Sequence, residues 1–175
     1  VFIGLISCYY RKIFIVPNCF FFLRKMAFVR IKKVKGKDYA YLVECKYFKK
    51  GPKQKVKAYL GKVVKVDCIN DISFNEFCNV KDIDEYAKEN NHRKIMKDLV
   101  RWELHKHAFE GELPDNVVLK INEGYLCNYN VRKLLRFDIG GDENLVGYTM
   151  AKMFVDSGIK VPQDIFVEYY KKVIR

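Results

Sequence analysis

MAFVRIKKVKGKDYAYLVECKYFKKGPKQKVKAYLGKVVKV, residues Met26 to Val66, is the stretch that decides the fold. Its first part, AFVRIKKVK (Ala27–Lys35), sets Val29 and Ile31 on one side of an extended chain and Arg30 and Lys32 on the other. That period of two belongs to a β-strand and excludes an amphipathic helix. Gly36-Lys37-Asp38 is a turn signal, and YAYLVECKYF (Tyr39–Phe48) is a second strand, rich in the aromatic residues that favour pleated surfaces. Lys49-Lys50-Gly51-Pro52-Lys53 reads as a second turn. QKVKAYLGKVVKV (Gln54–Val66) is a third strand, with a bend or bulge expected at Gly61. Three strands joined by two short loops make an antiparallel meander.

Working outward, the pattern changes period. Cys68 to Val80 is transitional, with Asn, Asp and Ser. Asp82 or Asp84 can cap a helix through Tyr86 and Ala87. In His92–Phe109, Ile95, Leu99 and Trp102 form one apolar stripe and Met96, Val100 and Leu104 its neighbour. Residues Gly111–Asp115 are a loop, and Val117–Ile121 reads as a short strand or an extended connector. A helix is expected over Asn130–Phe137, ended by Gly140-Gly141-Asp142. Another carries Leu145, Tyr148, Ala151, Phe154 and Val155 and stops at Gly158. A last one follows Pro162 and carries Ile165, Phe166, Tyr169 and Val173. The expected class is α+β: a three-stranded antiparallel basic meander, then a helical domain of four to five helices. The expected domains are 26–68 for the basic module and 80–175 for the helical one.

Charge divides the chain in the same place. The formal net charge is +12 over 175 residues, and half of those residues are hydrophobic, which makes the chain globular and suits it to a polyanionic partner. Residues 26–66 hold thirteen Lys and Arg against Asp38 and Glu44, whereas the residues after Val66 are weakly acidic as a group. A chain that only needed solubility has no reason to segregate its charge. Arg30, Lys32, Lys33, Lys35, Lys53, Lys55 and Lys57 are the candidate phosphate contacts, a backbone-directed and salt-sensitive mode. Tyr39, Tyr41, Tyr47 and Tyr59 interleave with them and can stack on unpaired bases. The competing reading makes the tyrosines core and the lysines guards of an exposed sheet edge.

The order FVRIKKVKGKDYAYLVE, a turn, then QKVKAYLGKV resembles the N-terminal region of insertion-sequence transposases of the DDE class. The resemblance rests on Val29, Arg30, Lys33, Gly36, Tyr39, Tyr41, Leu42, Val43, Glu44, Gln54, Lys55, Val56, Tyr59, Leu60 and Gly61. It implies a small β module in contact with DNA, and it is what favours DNA over RNA. It does not extend to the chemistry, because the rest of the chain offers no triad of strand-end carboxylates for a catalytic domain.

Other chemistry finds little support. Glu44-Cys45-Lys46 has the acid-x-Lys form of metal-dependent nucleases, but only Asp38, in a turn, could supply the second acid. Glu44 is more simply an ion-pair partner of the surrounding lysines. His105 and His107 fall on different faces of a helix, and Glu103 with His107 reads as a surface pair. Gly140-Gly141 lacks the Lys-Ser/Thr of a phosphate loop, and Trp102 reads as core. The cysteines at 8, 19, 45, 68, 78 and 127 have no zinc-knuckle or redox-pair spacing, which suggests free thiols in a reducing cytoplasm. No catalytic residue, metal or cofactor is assigned, and the expected function is non-enzymatic. The helical half is read either as a module for protein interaction or self-association, or as a cover completing the core. The alternatives are an RNA-binding subunit of a ribonucleoprotein assembly and, third, a metal-dependent nuclease.

Residues 1–25 are apolar and aromatic, and Arg11 and Lys12 split them into runs too short to cross a bilayer. They read as a membrane-surface anchor, as a segment packing on the body, or as translated AT-rich spacer upstream of a start at Met26. The abrupt change of composition at Met26 favours the last.

Overall fold

The computed structural model describes residues 26–48, 51–137 and 143–174. The three readings of residues 1–25 and the Gly140-Gly141-Asp142 break lie outside them. Strands β1 (Met26–Val34), β2 (Lys37–Phe48) and β3 (Gly51–Lys65) form the expected antiparallel meander. Along β1, Ala27, Val29 and Ile31 are half-buried while Phe28, Arg30 and Lys32 are exposed, as the alternation requires. The first turn lies one residue earlier than its sequence signal. Lys35 at φ 49 and Gly36 at φ 78 supply the two left-handed positions of a type I′ hairpin, which matches the twist of the strands it joins. The third strand likewise begins early, so Pro52 and Lys53 belong to β3 and not to a turn. A proline next to the start of a strand forfeits little of the ladder.

The chain divides into two compact units. The first contains residues 26–30, 41–48 and 51–59 of those described; the second contains Ile31–Ala40 and everything from Leu60 onward. In the second unit, β4 (Val117–Ile121) pairs parallel with β3 from Lys62↔Val117 to Lys65↔Lys120. Strand β5 (Gly124–Leu126) pairs antiparallel with β4, and the sheet order is β1-β2-β3-β4-β5. Gly61 admits this pairing. It sits at φ 139, and a Cβ there would stand 2.1 Å from the carbonyl carbon and oxygen of Asn116.

Six helices occur among the described residues: α1 (Phe74–Cys78), α2 (Ile83–Glu89), α3 (His92–Lys106), α4 (Asn128–Leu135), α5 (Glu143–Ser157) and α6 (Gln163–Ile174). The helix beyond the expected four to five is α1, inside the transitional stretch. A capping box explains it: Ser73 Oγ accepts from the Glu76 N–H at 3.2 Å, and the Glu76 carboxylate accepts from the Ser73 N–H at 3.3 Å. Asp82 caps α2 and Asn91 caps α3. Gly158, at φ 79, ends α5 where expected. Lys172 of α6 donates to the carbonyls of Ala87, Lys88 and Asn90, which fixes α6 to the C-terminus of α2.

Both expected stripes of α3 are buried, Trp102 included, and its indole N–H donates to the Ile72 carbonyl at 2.9 Å. They pack with β4 and with Met150, Met153, Phe154, Ile165, Tyr169 and Val173 of α5 and α6. Two expectations need correction. The inward face of α5 is Val146, Met150, Met153 and Phe154, while Leu145, Tyr148 and Val155 face outward. Glu103 and His107 are not a surface pair; both are buried. One Glu103 oxygen lies 3.4 Å from His107 Nε2 and accepts from Asn122 Nδ2 at 3.1 Å; the other accepts from the Lys160 N–H at 3.3 Å. Lys106 Nζ stands 3.4 Å from both. Cys45, Cys68, Cys78 and Cys127 are free thiols. Among the described residues no helix is long and apolar enough to cross a membrane.

Candidate nucleic-acid interface

The first unit contains most of the sequence-predicted contacts. From Pro52 to Tyr59 every residue of β3 is exposed, on both faces of the strand. Ordinary strands bury one face, so eight consecutive exposed residues set β3 apart from its partner in the ribbon, β2, where Lys46 and Phe48 are exposed but Val43, Glu44 and Cys45 are buried. Val56 is 58% exposed and Phe48 54%, two uncovered apolar side chains.

Two contacts fix where the cations point. Lys53 Nζ stands 5.5 Å over the Phe48 ring, and Lys57 Nζ lies 3.1 Å from a carboxylate oxygen of Glu44. With strand alternation, these set Lys53, Lys55 and Lys57 on one face of the ribbon. Arg30 is on the other face: its guanidinium donates to the side-chain oxygen Oε1 of Gln54 at 2.8 Å, reaching past the intervening strand β2. The sequence placed these cations on one module but could not divide them between its faces. Gln54, which orients Arg30, and Phe48, which supports Lys53, are site residues that charge alone does not reveal. Their signal was the alternation itself.

The cations differ in freedom. Glu44 is 3% exposed and is engaged by Lys57 and, at 4.0 Å, by Lys46, the ion-pair role expected of it. Lys57 is therefore partly committed within the protein. Among the described residues, Arg30, Lys53 and Lys55 have no carboxylate within 4.0 Å. Tyr41 and Tyr59 pair with ring centroids 5.5 Å apart at 58°, and Tyr59 remains 47% exposed. The side chain of Tyr47 lies outside the described residues.

The remaining predicted contacts belong to the second unit. Lys32 and Lys33 on β1 and Lys35 in the type I′ turn are exposed, and Tyr39 is half-buried. Among the described residues there is no group of three or more His, Cys, Asp or Glu placed to hold a metal ion.

Chemically, the ribbon offers fixed positive charge, the Tyr41–Tyr59 aromatic pair and a continuously exposed length of β3. Its lysines are point charges, suited to phosphate oxygens and poor at reading base edges. No protein-family model, curated protein or solved structure matches the chain.

Proposed function

We propose that this chain is a non-enzymatic nucleic-acid-binding protein that grips the phosphate backbone of duplex DNA through its basic meander. The observation that carries the proposal is the fully exposed run Pro52–Tyr59 of β3, in which Lys53 and Lys55 stand beside uncovered Val56 and Phe48. The major groove of DNA admits a two-stranded β-ribbon, whose cations then lie between two rows of phosphates. The resemblance of residues 27–66 to the N-terminal β module of insertion-sequence transposases supports DNA as the polymer. Specificity is expected to be low, because lysines on phosphates position a protein without reading sequence. The exposed Tyr59, paired with Tyr41, favours a second reading in which the ribbon binds unpaired RNA bases within a ribonucleoprotein assembly.

Fluorescence anisotropy of the full chain with duplex DNA, single-stranded DNA and structured RNA, across a salt series, separates the two. A site making about six phosphate contacts loses roughly a thousandfold in affinity between 50 and 200 mM salt. Duplex preference with that dependence supports the first reading; preference for unpaired RNA supports the second. Absence of binding to all three at low salt would return the lysines to the role of edge guards.

A further inference from the structure

Independently of the ribbon, the second unit contains a groove of about 850 Å³ between α3 and α4, closed on a third side by the loop 109–115. We infer that this groove is a binding site for a nucleoside phosphate. Its walls have an order that can be read from the chain. Helix α3 faces the groove with Lys97, Arg101 and His105, spaced at one helical face, and α4 faces it with Asn128, Val131, Arg132 and Leu135. The two helices run antiparallel. At one end His92 Nε2 bonds the Leu134 carbonyl at 2.8 Å, joining the start of α3 to the end of α4. At the other, Asn128 Nδ2 donates to Asp115 Oδ1 at 2.8 Å, joining the start of α4 to the loop that follows α3.

The two helices supply the cations of the groove and the loop its carboxylates. Lys97 lies toward the first end, Arg101 and Arg132 stand near the middle of their helices, and Glu110, Glu112 and Asp115 line the loop at the second end. All six are exposed, and among the described residues no salt bridge joins the two sets. Opposite charges that share a groove without pairing leave room for a ligand that bridges them. Between them stands an aromatic wall, with Phe77 and His105 at 5.1 Å between ring centroids and Phe109 beside the same groove. All three are half-buried, so each keeps part of its surface accessible beside the groove.

A nucleotide has the matching polarity. Its phosphate suits the three cations, and its planar base suits the aromatic wall. Its ribose hydroxyls and exocyclic amines are donors, and a carboxylate is an acceptor only. Lys97 to His105 covers about 12 Å of helix, enough for one such molecule laid along α3. The volume lies within the usual range for small-ligand sites, which is roughly 300–1,000 Å³.

The test is isothermal titration of the full chain with each of the four ribonucleoside monophosphates, with the corresponding nucleosides and with inorganic phosphate. Saturable one-site binding of at least one monophosphate is expected, weaker by about tenfold or more for its nucleoside, which lacks the charge-assisted bonds. The double variant Arg101→Gln, Arg132→Gln should lose a similar factor while keeping its melting temperature, since both side chains are exposed. Val131→Phe, which fills the groove, should weaken base and phosphate together; Lys53→Gln with Lys55→Gln should leave binding unchanged. Equal affinity for nucleoside and monophosphate, loss only in the Lys53 and Lys55 variant, or no binding at millimolar ligand would each overturn the assignment. The last result leaves the DNA reading untouched, and absence of DNA binding leaves this one untouched.

Discussion

Glu103 carries a carboxylate into the interior at 1% exposure and is held there by neighbours from three parts of the chain: Lys106 and His107, Asn122, and the Lys160 amide. Removing one side of such a buried charge cluster leaves the rest desolvated and uncompensated. Glu103→Ala should therefore lower unfolding stability by about 3 kcal/mol. Urea denaturation followed by the emission of Trp102, the only tryptophan, measures this directly; a loss below about 1 kcal/mol would mean that the cluster is solvated. His92 gives a second prediction. Burial holds its pKa below the ordinary value of 6.5, while its ring bridges Tyr169 Oη and the Leu134 carbonyl. The unfolded chain thus takes up a proton that the folded chain resists. Stability from this site is fully present above the unfolded pKa and is lost as pH falls through the folded one. Melting curves from pH 7.5 to 5 should decline for the native chain and flatten in His92→Asn; parallel profiles would exclude His92 as the cause. Lys57 belongs at this scale too. Because it is 3.1 Å from buried Glu44, Lys57→Gln should destabilise the chain more than Lys55→Gln, whose effect should fall almost wholly on DNA binding.

At the scale of elements, Gly61→Ala places a Cβ against the Asn116 backbone at a φ that alanine avoids. It should cost more than about 2 kcal/mol, measured by chemical denaturation, if the β3–β4 pairing is as close as described. Ser73→Ala removes the cap of α1 and should cost about 1 kcal/mol. The same scale shows what the sequence could carry. The meander was legible because alternation and turn residues are local signals, and α2, α3 and α6 because their caps and stripes are. The capping box of α1 was also present at Ser73 and Glu76, but five residues give no periodicity to accompany it. Strand β5 is shorter still, and the parallel partner of β4 is a property of tertiary register that no window of sequence contains. In α5 the apolar residues run nearly all round the helix, so Leu145, Tyr148 and Val155 competed with Val146, Met150 and Met153, and only packing chose between them. The spacing of Glu103 and His107 identified neighbours without saying which side of α3 they occupy. In the candidate interface the cations were legible as charge. Their division between two faces, and the commitment of Lys57 to Glu44, depended on contacts between strands.

For the molecule as a whole, the segregated charge predicts how binding responds to salt. Each phosphate contact removed should reduce the slope of log affinity against log salt by about 0.9. Lys53→Gln and Lys55→Gln together should then flatten the anisotropy series by nearly two units, with Arg101→Gln and Arg132→Gln causing no such change if the ribbon alone grips duplex DNA. An equal response from both pairs would place DNA contacts on both units. The parallel pairing of β3 with β4 has a further consequence, one of timing. The strands β1 and β2 meet through a two-residue turn, whereas β4 can reach β3 only after residues 66–116, with α1 to α3, have folded back. Closing that long loop is the slow, entropically expensive step, so β3 waits during synthesis and refolding with an open edge. An open edge is a template for any other unfinished chain. The lysines at 53, 55, 62 and 65 stand along that strand, and their mutual repulsion between neighbouring chains should protect the nascent protein from aggregation before there is any nucleic acid for it to hold.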